Sequence, residues 1–205
     1  MEVRQESCFL GIELGSTRIK AVLIDPGYVP VASGSFLWAD SFQDGYWTYS
    51  LEDVWKGLQA CFADLRNDFL SRTGQKLRKV RAIGVSGMMH GFLAFDSEGR
   101  QLASFRTWKN TTADEASLRL SELFDFNIPQ RWSISHLYQD VLDKKPYVGR
   151  IAQMTTLSGY VHFCLTGKKV LGSGDASGMF PVNESGNGYD EAMAEKFLSL
   201  AGIDI

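Results

Sequence analysis

The chain has no cluster of lysine or arginine. Its 21 basic residues are outnumbered by 24 acidic ones, for a net charge of −3 over 205 residues. A protein that neutralises a nucleic-acid backbone needs concentrated positive charge, so nucleic acid is not expected as a partner. No apolar run approaches the length of a membrane span, and the N-terminal "MEVRQESCFLGIEL" carries no long apolar core with a cleavage site. No membrane partner is expected, and a soluble cytoplasmic protein is. Cysteine is sparse. Cys8, Cys61 and Cys164 lie far apart and match no metal-ligand spacing, which suits a reducing compartment. Cys61 and Cys164 fall in apolar helical patterns, where core burial is the expected role. Repeats, low-complexity tracts and obvious linkers are also missing. What is present is a 44% hydrophobic composition, enough for one sizeable α/β domain or two small ones.

Glycine and proline divide the first third into strands at residues 8–14, 17–25 and 29–37, joined by Gly15 and by Pro26-Gly27. Ile19, Ala21 and Leu23 alternate with Arg18 and Lys20, the period of an antiparallel meander. Ser50 opens a helix through "SLED", a capping-box variant, and Val54, Leu58, Cys61, Leu65 and Phe69 follow at helical spacing up to Gly74. "VRAIGVSG" reads as a short buried strand. "FLAFDSEGRQLA" reads as a hairpin turning at Ser97-Glu98-Gly99. Further on, Thr112 and Glu115 form a second capping box ahead of Ala116, Leu120 and Leu123. Residues 147–166 read as a longer helix capped by Gly167, and Tyr189 to Ala201 as a short final helix. Three antiparallel strands, a helix and a strand entering alongside resemble the order of an α/β, ribonuclease-H-like (actin-type ATPase) domain: a mixed sheet flanked by helices, here incomplete at the C-terminus.

The first hairpin turn carries more than a turn requires. Glycine lets a backbone approach phosphate closely, turn N–H groups and hydroxyls bind phosphate oxygens, and a nearby carboxylate suits magnesium, which prefers oxygen ligands and retained water. Glu13, Gly15, Ser16 and Thr17 meet those needs, and Lys20 adds positive charge. The alternative is an ordinary hairpin with a solvated acid. Farther on, Met89 and His90 follow a strand ending in Ser86-Gly87, at a sheet's edge where clefts form. A histidine offers a donor and an acceptor to hydroxyls, and methionine packs on apolar faces. The alternative for His90 is a histidine satisfied in the core, and for Trp108 a ring filling the core beneath the hairpin.

"FLGIELGSTRIKAVLID" resembles the opening phosphate motif of the FGGY family of carbohydrate kinases, G-I-D-x-G-T-T-x-x-K-A, with Glu13 in place of the family's aspartate. The extra methylene favours water-mediated over direct metal coordination. "VSGMMHGFLAFD" resembles the family's S-G-Q-M-H-G segment, with Met88 in place of glutamine. "FRTWKNTTADEA" resembles its W-x-D-x-R region, in the W-K-D-x-T-A form of ribulokinases, with Asn110 in place of aspartate. Leu165-Thr166-Gly167, Asp175-Ala176-Ser177 and "YDEAMAEKFLSLAGI" also match family landmarks and look structural, and His162 reads as a core or hydrogen-bonding histidine. The resemblance runs from Phe9 to Ile205.

That resemblance implies an ATP- and Mg2+-dependent kinase acting on a small sugar, a ketopentose such as xylulose or ribulose. It implies sugar contacts at Met89, His90, Trp108 and Asn110, phosphate contacts at Gly15, Ser16, Thr17 and Lys20, and a metal contact at Glu13. Family members are more than twice this long, with a C-terminal domain that holds the adenosine. Their general-base aspartate lies in a glycine-rich G-D-x-x segment that this sequence does not contain. Residues 1–205 are therefore read as a truncated N-terminal domain whose base lies beyond Ile205, inactive alone and able to form a homodimer through an open sheet edge. The alternatives are a non-catalytic sugar-binding or regulatory module and another actin-type ATPase.

Overall fold

The alternation of Ile19, Ala21 and Leu23 with charged neighbours builds the sheet expected of it. In the computed structural model, which describes residues 3–203, β1 (Phe9–Leu14), β2 (Arg18–Ile24) and β3 (Pro30–Leu37) form an antiparallel meander. The chain gathers into two compact units. The first takes residues up to Asp40 and Tyr49–Met88; the second takes Ser41–Thr48 and the chain from Met89 onward. After β3 the chain thus contributes the hairpin β4 (Ser41–Gln43) and β5 (Tyr46–Thr48) to the second unit before returning to the first as α1 (Leu51–Thr73).

Ser50 caps α1 by accepting from the Asp53 N–H at 3.0 Å. The expected reciprocal arm differs: the Asp53 carboxylate accepts from the Ser50 hydroxyl at 2.6 Å, not from its backbone. Gly74 closes the helix at φ 71°, a left-handed conformation that glycine adopts without cost. Val54, Leu58, Cys61, Leu65 and Phe69 are all buried, as the spacing predicts. Gly34 sets how closely α1 approaches β3, for a Cβ there would lie 2.3 Å from the Cys61 carbonyl and 2.4 Å from the Leu65 nitrogen. Asp68 and Asp64 on α1 then accept from the Ser33 and Ser35 N–H groups at 2.9 Å, which satisfies the open edge of β3.

The strand β6 (Ala82–Gly87) adds in parallel to β1, giving the order β3-β2-β1-β6. It was expected to be buried and is not: Ile83 is 50% exposed. The reason is positional, because α1 packs over β3 and β2 and β6 forms the other edge of the sheet among the described residues.

In the second unit β7 (Leu93–Phe95) leads into the turn at Ser97-Glu98-Gly99, where the Asp96 carboxylate accepts from the Glu98 and Arg100 N–H groups. The helix α2 (Asp114–Phe124) starts after Ala113 with no side-chain cap, so Thr112 does not form the expected box; it lies one residue too far out. A helix absent from the sequence reading, α3 (Ser133–Leu142), follows. The expected helix over 147–166 divides. Its start is a single 3-10 turn (Val148–Arg150), its middle becomes β8 (Gln153–Thr155), paired with β7, and its end is α4 (Leu157–Thr166), capped by the Thr156 hydroxyl and ended by Gly167. A strand partner and a β-branched Thr155-Thr156 pair override the apolar spacing. Cys164 is exposed, against expectation, whereas Cys61 is buried. The short α5 (Ser173–Ala176) and the expected final helix, α6 (Glu191–Ala201, capped by Asp190), complete the unit. Phe92, Leu120, Phe124, Leu137, Phe180 and Phe197 lie in its core.

Candidate functional site

The turn between β1 and β2 is as tight as a backbone allows. The Gly15 N–H donates to the Arg18 carbonyl at 3.1 Å, and a Cβ on Gly15 would lie 2.9 Å from that oxygen. Two aromatic residues, stacked with centroids 4.3 Å apart, tie down the turn's carbonyls. Trp38 Nε1 donates to Gly15 at 2.8 Å, the Tyr49 hydroxyl donates to Ser16, and the Trp38 N–H donates to Thr17. Burial, with help from Asp40, pushes the Tyr49 phenol up to about 12, so it stays a donor. The side-chain hydroxyls of Ser16 and Thr17 are different: neither has a hydrogen-bond partner among the described residues. Sequence reading picked out the turn and missed Trp38 and Tyr49; their aromatic character just past β3 and just before α1 was the available signal.

Register puts Lys20 opposite Glu13 and Ser86 beside it on the far strand. Lys20 Nζ lies 3.2 Å from Glu13 Oε2, and both side chains are about half exposed. No group of three or more His, Cys, Asp or Glu gathers among the described residues. Glu13 therefore offers a single carboxylate, a donor set that fits a magnesium ion keeping water and phosphate oxygens and not a closed protein cage.

The second set of residues depends on irregular backbone. His90 has φ 68° and Gly91 φ 92°, an uncommon conformation for a residue with a Cβ. Immediately after them, Phe92 and Arg106 form an antiparallel bridge with N–H···O distances of 2.9 and 3.0 Å. A Cβ on Gly91 would lie 2.4 Å from the Arg106 carbonyl. His90 stands two residues before Phe92 and Trp108 two residues after Arg106, which in an antiparallel pair is the same end of the bridge. Met89 and Trp108 are 48% and 46% exposed. His90 is partly buried, its Nδ1 lies 3.4 Å from the Gly178 carbonyl, and its ring stacks on Trp132 at 6.4 Å. Burial lowers its pKa, the Gly178 carbonyl opposes that, and the Arg131 charge adds to the lowering.

Asn110 requires a correction. It is 3% exposed, and its amide is committed to backbone: Oδ1 accepts from the Trp47 N–H at 2.8 Å, and Nδ2 donates to the Trp47 and Thr107 carbonyls at 2.9 Å. An amide spent on three backbone groups is a clamp on the β4–β5 hairpin, not a ligand-facing group. The residue it holds, Trp47, is 41% exposed with its ring edge-on to Phe42.

Residues 8–201 match the profile described as the FGGY family of carbohydrate kinases, N-terminal domain. The chain belongs to that family. Its fold is similar to a xyloylose kinase from Brucella ovis (TM-score 0.80, 20% identity, 96% of this chain and 41% of that one). It is equally similar to a xylulose kinase (TM-score 0.79, 20% identity, 96% and 40%) and a gluconate kinase (TM-score 0.78, 20% identity, 97% and 40%), both from Lactobacillus acidophilus. At that identity the likeness establishes the fold, an actin-type ATPase domain with a mixed sheet and flanking helices. The chain spans about 40% of the length of these structures. No curated protein matches it significantly. No helix among the described residues is long and apolar enough to cross a membrane.

In this FGGY chain the bridge is anchored by a buried ion pair that sequence reading missed. Arg106 is 2% exposed. Its Nη2 donates to Asp140 Oδ1 and to the Tyr147 hydroxyl, both at 2.8 Å, and that hydroxyl donates to Asp140 Oδ2 at 2.7 Å. The guanidinium lies over the rings of Tyr46 and Phe92, 4.2 and 4.8 Å from their centroids. Burial alone would lower the Arg106 pKa, and the charge and hydrogen bond of Asp140 outweigh it, holding it above its ordinary value. His136, fully buried beside the pair, has no partner for either ring nitrogen among the described residues. Burial, then the Arg106 charge, depresses it to about 3, so it is neutral. Of the other landmarks, Asp175 accepts from the Ser158 hydroxyl at 2.8 Å, and His162 Nε2 is buried with no hydrogen-bond partner among the described residues.

Proposed function

We propose that this domain is the sugar-binding half of an ATP-dependent kinase that transfers the γ-phosphoryl group of ATP to a hydroxyl of a small sugar, a ketopentose such as xylulose or ribulose. The observation that carries the reading is the antiparallel Phe92–Arg106 bridge, whose register brings a partly buried histidine on one segment and a half-exposed indole on the other to the same end. Such a pair suits a polyol, with the Trp108 ring and Met89 against its C–H face and His90 hydrogen-bonded to a hydroxyl. The Gly15-Ser16-Thr17 turn, with two hydroxyls free of internal partners, suits phosphate oxygens, and Lys20 adds charge. Glu13 would hold Mg2+ through water. When bound, ATP and Mg2+ supply the phosphoryl group and neutralise its charge, and positioning is the main contribution of this domain's residues. The general base is assigned to the aspartate of the glycine-rich G-D-x-x segment that the resemblance places beyond Ile205, at the end of this domain's own sheet. The choice of a ketopentose rests on the M-H-G and W-K motifs, since similar structures include both xylulose and gluconate kinases.

The test is sugar-dependent ADP release by the polypeptide that joins this domain to its C-terminal partner, with D-xylulose, D-ribulose, D-gluconate and glycerol offered separately. Release is expected with a ketopentose, and none from the 205-residue chain, because a positioned general base contributes about 10²–10⁴-fold and is missing from it. ADP release indifferent to every polyol would overturn the reading.

A further inference from the structure

We propose that the Gly178 carbonyl fixes His90 as its Nδ1–H tautomer, so that Nε2 meets the substrate as a hydrogen-bond acceptor and selects a hydroxyl over a carbonyl oxygen. The inference deepens the sugar-site reading and rests on it. A carbonyl oxygen can only accept, so the ring nitrogen facing it, Nδ1 at 3.4 Å, is the one that carries a proton. In a neutral ring Nε2 is then the lone-pair nitrogen. It has no internal hydrogen-bond partner among the described residues, yet unlike both nitrogens of His136 it is not sealed in. Burial and the Arg131 charge favour the neutral ring.

The surroundings leave the ring little alternative. The left-handed pair His90-Gly91 is pinned on both sides: the Gly91 N–H donates to the Arg131 carbonyl at 2.9 Å, and its carbonyl accepts from the buried Ser133 hydroxyl at 2.5 Å. Trp132 lies 17° from parallel to the imidazole. Position 178 itself is restricted, since a Cβ there would lie 2.6 Å from His90 Nδ1. Gly178 thus acts as a positioning residue, by leaving room for the imidazole and presenting an acceptor to it. A ketose would offer His90 one of its hydroxyls, because its keto oxygen, which only accepts, is left unsatisfied at Nε2.

Three histidines in the chain make a direct test practical. Long-range ¹H–¹⁵N correlation of the labelled chain at neutral pH, assigned with His90→Gln, reports which nitrogen bears the proton. The expected pattern for His90 is a protonated Nδ1 and a strongly deshielded, pyridine-type Nε2. Gly178→Ala should turn this into a mixture of tautomers while the His136 and His162 signals hold. Should that variant fail to fold, the wild-type spectrum decides alone. A protonated Nε2 in the wild-type chain overturns the inference. Titration with D-xylulose is the second arm. Movement of the Nε2 signal toward shielded values supports the acceptor role. The expected tautomer with no response to D-xylulose, D-ribulose, D-gluconate or glycerol overturns the sugar reading and leaves the Gly178 assignment supported.

Discussion

In the first unit, Gly15, Ser16 and Thr17 hang between two paired strands whose register follows from alternation, and the flanking charges Glu13 and Lys20 meet in solvent. In the second, His90 and Trp108 stand at the same end of a single bridge whose Arg106 is sealed against Asp140 and Tyr147, residues 34 and 41 positions away. One set of groups sits on a hairpin of regular register that Trp38 and Tyr49 steady, the other depends on long-range contacts for its backbone conformation itself. The hairpin's own hydrogen bonds define its path, and Trp38 and Tyr49 only fix its carbonyls. A left-handed histidine next to a half-exposed indole is not a local minimum, and persists only where the surroundings over-determine it.

That contrast is broken most severely at Asp140. Asp140→Asn keeps the shape and removes the charge, leaving Arg106 buried and uncompensated, which costs about 3–5 kcal/mol. Urea denaturation should show the loss as a lower midpoint, and sugar binding should weaken with it. An unchanged midpoint would mean that the bridge does not depend on the pair. Gly34→Ala tests the first unit's frame. The added methyl would meet the backbone of α1 at 2.3–2.4 Å, an overpacking of about 1–3 kcal/mol, again read by urea, while the His90 and Trp132 signals in the second unit keep their shifts. If the variant is as stable as the parent, the helix has room that the geometry denies it. The smallest effect is expected at Glu13→Ala. Its partner is a solvated lysine, and an exposed pair is worth about 0–1 kcal/mol, so stability should barely move. Mg2+-dependent ATP affinity in the two-domain polypeptide should fall nonetheless. Full activity without the carboxylate would remove Glu13 from the metal site.

The two regions also differ in how much of each was legible beforehand. The meander, α1, its Ser50 cap and its Gly74 stop follow from period and capping chemistry, which act within a few residues. The errors cluster where distant partners intervene. Residues 153–155 carry an apolar pattern compatible with a helix and became β8 because β7 offered backbone groups to pair with. Asn110 stands in a segment that resembles the family's W-K-D-x-T-A motif, yet its amide is committed to the Trp47 backbone 63 positions away. Nothing in the spacing around Arg106 announces the carboxylate and two rings that surround it.

By itself, then, the sequence determined the antiparallel meander of the first unit, the turn with its glycine and two hydroxyls, and membership of a kinase family, since each is written in short spacings or ordered motifs. Tertiary structure alone decided that β6 is an exposed edge, that the Asn110 amide is committed to backbone, that His90 lies against Gly178, and that Arg106 is buried with Asp140. The physical reason is range. Periodicity and capping act over a few residues, whereas the burial of a charge or the commitment of an amide depends on what the fold brings within about 3 Å.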